Sequence, residues 1–116
     1  MNIYENIIES FGEGIIGVDG DLKITVFNQT AEKITGISSS VAVEKTFLDI
    51  FQKDRWFYEM LEKTIKDCKV FTEHEGSIFQ RYGGSKSVSA TTAPIFDSNG
   101  DIAGAVAIIK DISHIK

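Results

Sequence analysis

Tyr4, Ile7, Ile8 and Phe11 recur at helical spacing with Glu5, Asn6 and Glu9 between them, and Gly12 ends the pattern. A short amphipathic helix is therefore expected to open the chain. The runs Ile15-Ile16-Gly17-Val18 and Ile24-Thr25-Val26-Phe27 are rich in branched residues and flank Asp19-Gly20-Asp21. Asp-Gly is a strong tight-turn signal, so the pair predicts a β-hairpin. Asn28 can then cap a helix over residues 29–35, and Gly36 stands where a left-handed C-cap belongs. From Ser38 to Gln52 the pattern weakens: Ser38-Ser39-Ser40 reads as a polar linker, Phe47, Leu48, Ile50 and Phe51 as buried positions, and the segment as short helical turns.

The best-specified element follows. Phe57, Met60, Leu61, Thr64, Ile65 and Cys68 fall within an arc of roughly 140° on a helical wheel, which predicts one core-facing stripe. Glu59 with Lys63 and Glu62 with Lys66 lie four apart on the polar side, each pair contributing about 0.3 kcal/mol. The period then changes to that of strands: residues 70–80, a turn at Tyr82-Gly83-Gly84-Ser85, residues 86–95, a second turn at Asp97 to Asp101, and a last strand over 102–110. Ala105, Ala107 and Ile109 occupy one face of that strand and Val106 and Ile108 the other. Both faces are apolar, so the side away from the helices needs a cover as well. The opening helix can supply it, over its own sheet or a partner's, and a homodimer through that helix and the outer sheet face is expected.

The 116 residues suit one domain with one core. Eight Phe, three Tyr and one Trp argue against disorder, because disordered chains are poor in aromatics. A formal charge of −5, with acids and bases interleaved, disfavours nucleic-acid binding. No apolar stretch is long enough to span a bilayer, and the start has no basic leader region, so no direct membrane contact is expected. Cys68 is the single cysteine, so neither an internal disulfide nor a cysteine zinc cluster can be built, which fits a reducing, cytoplasmic setting.

Four motifs in order resemble the PAS family of sensor domains. Phe11 to Asp19 looks like that family's entry into its first strand, and Ile24 to Gly36, with Asn28, Ala31, Glu32 and Gly36, looks like its strand-to-helix signature. Pro94 to Gly100 and on to Gly104 resembles its last turn, and Asp111-Ile112-Ser113 its terminal Asp-Ile-Thr motif. Thr30, Ile37 and Ser113 depart from the common Ala, aromatic and Thr. The resemblance runs from Ile8 to Lys116 and implies an α+β fold: a five-stranded antiparallel sheet with short helices and one longer helix on one face. Under it, residues 1–11 form the flanking helix, 12–113 the core, and 114–116 the start of a linker to an effector.

The chemistry of individual residues points to binding and away from catalysis. His74 and His114 have no partner at metal-ligand spacing and read as exposed strand and tail histidines. Haem-binding relatives carry a His on the long helix, and flavin-binding relatives an Asn-Cys-Arg-Phe-Leu-Gln motif in an earlier helix. Residues 56–69 contain no His and that motif is missing, so neither cofactor is expected. Cys68 continues the apolar stripe and reads as core. The acids read as solvated charge on helix faces and turns, without a paired base. Gly12, Gly14 and Gly17 precede a strand and read as turn and packing glycines, not as a phosphate loop.

What remains is the concavity between helices and sheet, where Phe57, Met60, Leu61, Thr64 and Ile65 form an apolar wall with one hydroxyl, suited to a small apolar ligand or simply close-packed. By resemblance, Asp111 and Ser113 fix the junction to an effector domain in the same chain, with Ile112 packed beneath. The expectation is a sensory input domain of a histidine kinase. The alternatives are a ligand-free dimerisation or docking module in a transcription regulator or cyclic-dinucleotide enzyme, and, more remotely, a free-standing small enzyme.

Overall fold

Strand β1 (Glu13–Asp19) and strand β2 (Ile24–Phe27) pair antiparallel across the expected Asp-Gly turn. Asp19 closes that turn, its Oδ1 accepting from the amides of Asp21 and Lys23 at 2.9 and 3.0 Å. The structure is a computed structural model and describes residues 12–113. The helix expected over Tyr4, Ile7, Ile8 and Phe11, and the tail from His114, lie outside the described residues.

Helix α1 (Gln29–Thr35) has the predicted bounds and both predicted caps. Asn28 accepts from Ala31 N at 3.0 Å, and Gly36 takes φ 75°, a conformation that costs an L side chain energy. Two single-turn helices follow, α2 (Ser39–Ala42) and α3 (Phe47–Ile50), as the weak pattern predicted. Phe47 and Phe51 are buried, whereas Leu48 is exposed and Ile50 only partly covered. A one-turn helix has room for few inward positions, and Phe47 and Phe51 fill them.

Helix α4 (Arg55–Asp67) stops one residue before Cys68, which is a correction to the core reading of that cysteine. Cys68 is the left-handed cap, with φ 55°, so it leaves the helical wheel and stands exposed. On the polar side Lys66 pairs with Glu62 at 3.9 Å as expected, while Glu59 pairs with Arg55 at 3.7 Å, in the preceding turn, where Lys63 had been expected.

Strands β3 (Phe71–Phe79), β4 (Ser85–Phe96) and β5 (Ile102–Asp111) complete one antiparallel sheet of order β2-β1-β5-β4-β3. Its inner face mixes large and small side chains: Ile16, Val88 and Ile109 stand among Gly14, Ala90, Ala105 and Ala107, all of them buried. The small ones let the helices approach. A Cβ on Gly14 would lie 3.1 Å from the Ala31 backbone, and one on Gly76 would lie 2.6 Å from the Trp56 ring. On the opposite face Val106 and Ile108 are half-buried, and Val26 and Ile95 are exposed.

Part of each sheet edge is covered against further pairing. Along β2, Ile24 donates to Lys45 O at 2.8 Å and accepts from Glu44 N at 2.9 Å. Along β3, the start of α4 does the same with side chains: Asp54 Oδ1 accepts from Phe79 N, and Trp56 Nε1 donates to Ser77 O, each at 3.0 Å.

Candidate functional site

The wall read from the sequence faces inward. Phe57, Met60, Leu61 and Thr64 of α4 are buried, and Ile65 is partly buried against the same core. Phe57 completes an aromatic group with Phe47 and Phe51, ring centroids 4.5 to 5.2 Å apart, within the range where such rings attract. The single hydroxyl of the wall is engaged: Thr64 Oγ1 lies 2.8 Å from Thr92 Oγ1 on β4, and both residues are fully buried. Thr92 was not named from the sequence, because its partner is 28 residues away. Alternation along β4 was the signal that could have found it, since it places Thr92 on the face of Val88 and Ala90.

The residues of the terminal Asp-Ile-Ser motif are also together. Asp111 Oδ2 meets Lys86 Nζ at 3.1 Å, and Asp111 Oδ1 accepts from the amide and hydroxyl of Ser113 at 2.9 and 2.6 Å. Ile112 is buried and donates its amide to Ser87 O at 3.0 Å. Burial pulls the Asp111 carboxyl upward, but the Ser113 hydroxyl and amide together with Lys86 outweigh it and hold the group below its ordinary value. Gly12 and Asp111 border one depression of about 360 Å³, so the described chain begins and ends on the same side of the fold.

Asp54 corrects the reading of every acid as solvated. It is 3% exposed, and burial pushes its carboxyl above the ordinary value against the pull of the Phe79 amide and of Lys53. The flanking Gln52, Lys53 and Arg55 are exposed, which is why the local sequence looked solvated. A second and larger cleft, of about 400 Å³, borders Asp54 between the α3–α4 connection and the β3–β4 turn. His74 is exposed, 5.5 Å from the Trp56 ring. Among the described residues no three His, Cys, Asp or Glu side chains converge as a metal site would require, and no helix is long and apolar enough to cross a membrane.

A family model described as the PAS fold matches residues 2–112. The chain belongs to the PAS family. Among curated proteins this PAS domain is 28% identical over 112 residues to the signal transduction histidine-protein kinase AtoS of Escherichia coli K12, covering 95% of this chain and 18% of AtoS. It is 26% identical over 110 residues to the probable diguanylate cyclase DgcE of the same organism, covering 92% of this chain and 10% of DgcE. The chain thus spans less than a fifth of either relative. Among solved structures, a PAS domain from Colwellia psychrerythraea superposes with a TM-score of 0.75 at 18% identity, covering 97% of this chain and 99% of that one. A Light-Oxygen-Voltage domain whose mechanism was studied with a flavin analogue superposes at 0.76 with 14% identity, covering 95% and 84%. At those identities the superpositions show the fold alone.

The Thr64–Thr92 pair generates a test by double-mutant cycle. Thr64→Val or Thr92→Val alone strands a buried hydroxyl and is expected to cost about 1–3 kcal/mol, while the double variant regains most of that loss. Urea unfolding of the four proteins measures it, and strictly additive losses would disprove the coupling.

Proposed function

We propose that this PAS domain is the sensory input unit of a signal-transduction protein, in the first place a two-component histidine kinase, in the cytoplasm. The observation that carries the reading is the 28% identity to AtoS across 95% of the chain. The junction geometry agrees with it. β5 lies between β1 and β4 at the centre of the sheet, lines the core with Ala105, Ala107 and Ile109, and delivers Asp111 at its end. A change in the core therefore has a direct route to the Lys86–Asp111–Ser113 cluster. Under this reading a small apolar ligand acts at Phe57, Met60, Leu61, Thr64 and Ile65, and it acts only by favouring one arrangement of core and junction over another.

The second reading is a ligand-free relay or dimerisation module in a transcription regulator or cyclic-dinucleotide enzyme. The similarity to DgcE and the close packing around Phe57 and Thr64 favour it. Neither reading gives the domain a catalytic centre or assigns it nucleic acid. Both take it to work without haem or flavin, and a visible absorption spectrum of the purified protein checks this: a Soret or flavin band near full occupancy would refute it.

Asp111→Ala is expected to leave the fold in place at a cost of about 1 kcal/mol while uncoupling the effector in the full-length protein. Effector activity with and without stimulus measures it, and normal regulation by the variant would sink the assignment of Asp111 to signal transmission.

Assembly is proposed to be a homodimer through the opening helix and the outer sheet face, where Val26 and Ile95 are exposed. Deleting residues 1–10 should weaken self-association or cause aggregation. Light scattering decides, and an intact chain that stays monomeric at high micromolar concentration would leave the helix covering only its own sheet.

A further inference from the structure

The cleft beside Asp54 is separate from the α4 wall and is lined by groups of both charges. Asp49 and Asp54 supply carboxylates, Lys53 and Arg81 supply cations, and Ile37 and Phe79 supply apolar surface. Mixed charge on a surface is usually solvated, and alone it marks nothing. Asp54 differs because it borders the cleft while only 3% exposed. A carboxylate removed from water is costly unless an opposite charge or hydrogen bonds serve it. One side-chain hydrogen bond is described for it, from Phe79 N at 3.0 Å, and the nearby Lys53 charge offsets only part of the burial.

The walls of the cleft are held in place. The β3–β4 turn is fastened to the end of α1, with Arg81 N donating to Thr35 O at 2.9 Å and Gln80 Nε2 to Ile34 O at 3.0 Å. The Tyr82 ring closes over Gly36, where a Cβ would lie 2.6 Å from it. The opposite wall is fixed by the Asp54–Phe79 bond itself. A wall tied down by hydrogen bonds loses less entropy when a ligand enters than a free one would.

We propose that this cleft binds a small zwitterion of the free α-amino acid class, its ammonium directed to Asp54 and Asp49 and its carboxylate to Arg81 and Lys53. A purely anionic ligand would meet the two carboxylates, and a purely cationic one the two bases. A molecule carrying both charges satisfies both sets. The volume of about 400 Å³ lies near the small end of the usual range for ligand sites, which suits a small molecule. The proposal holds whichever effector the domain serves, and whether or not the α4 wall takes a ligand.

The test is calorimetric titration of the intact chain with the common amino acids, followed by amide chemical-shift mapping with the best of them. At least one is expected to bind saturably, with shifts centred on residues 49–54 and 79–84. Its N-acetyl and methyl-ester derivatives, which lack the ammonium and the carboxylate, should each bind about tenfold more weakly or worse, as for lost charged hydrogen bonds. Asp54→Asn keeps an acceptor for Phe79 N and removes the charge. Arg81→Gln alters an exposed side chain and leaves the backbone bond to Thr35 intact. Each should lower affinity by about tenfold, and if Asp54→Asn fails to fold, Arg81→Gln decides. No binding by any amino acid up to about 10 mM, or undiminished binding by the folded variants, overturns the proposal. Shifts confined to residues 57–65 overturn it too, while leaving the α4 wall reading intact.

Discussion

One side chain holds the first half of this fold together. Asn28 Oδ1 accepts from Ile15 N at 2.9 Å and from Ala31 N at 3.0 Å, while its Nδ2 donates to Glu13 O at 3.0 Å. Its backbone amide adds a bond to Ile15 O at 3.1 Å. Asn28 therefore extends the β1 ladder and caps α1 at once. A two-turn helix is unstable by itself, so α1 depends on being tied at both ends. Its far end is tied by the β3–β4 turn, whose Arg81 amide and Gln80 side chain satisfy the carbonyls of Thr35 and Ile34 that the helix leaves open. The planar carboxamide of Asn and Gln offers this donor and acceptor in one group; aspartate would lose the bond to Glu13 O.

Asp54 plays the corresponding part in the second half. It starts α4 and fastens it to the end of β3 through Phe79 N, and Trp56 adds the bond to Ser77 O. A polar side chain at the start of a helix thus stitches that helix to a strand in both halves. The difference lies in charge. Asn28 is neutral and its burial costs little once bonded, whereas Asp54 brings a charge into the protein and its carboxyl is pushed upward by burial. That difference sets Asn28, a neutral fastener, apart from Asp54, a fastener whose ionised form burial opposes.

The parts of this arrangement that were legible in the sequence are those set by neighbours in the chain. Asn28 and Gly36 bracket α1 because capping is local, and the inner stripe of α4 from Phe57 to Thr64 follows from helical periodicity. Cys68 was misread for the same reason: the wheel continues arithmetically, but no Gly or Pro announces that the helix stops. The helix ends on a non-glycine residue in the left-handed conformation. Asp54, Thr92 and the 400 Å³ cleft were not legible, because each depends on contacts more than twenty residues apart. Asp111, Ile112 and Ser113 were placed by resemblance to a motif; the role of Lys86 had no local signal, since the turn and β5 separate it from Asp111.

The two embedded carboxylates, Asp54 and Asp111, respond to pH in opposite senses. Asp111 is held below its ordinary value of 3.8 by Ser113 and Lys86, so its ionised form stabilises the fold above that pH, and the contribution fades as pH falls through its lowered value. Asp54 is raised above 3.8, so the folded state favours its proton, and stability is lost as pH rises through the interval between 3.8 and the raised value. The ionised form of Asp111 is therefore favoured by its partners, whereas burial opposes the ionised form of Asp54. An opposite charge nearby favours the ionised form of such a carboxyl, as Lys53 does here. Asp54 is bonded to Phe79 in β3, which pairs with Ser85 at the start of β4, one residue before the Lys86 that grips Asp111. The two carboxylates are thus separated by a short length of hydrogen-bonded sheet, from the end of β3 to the start of β4.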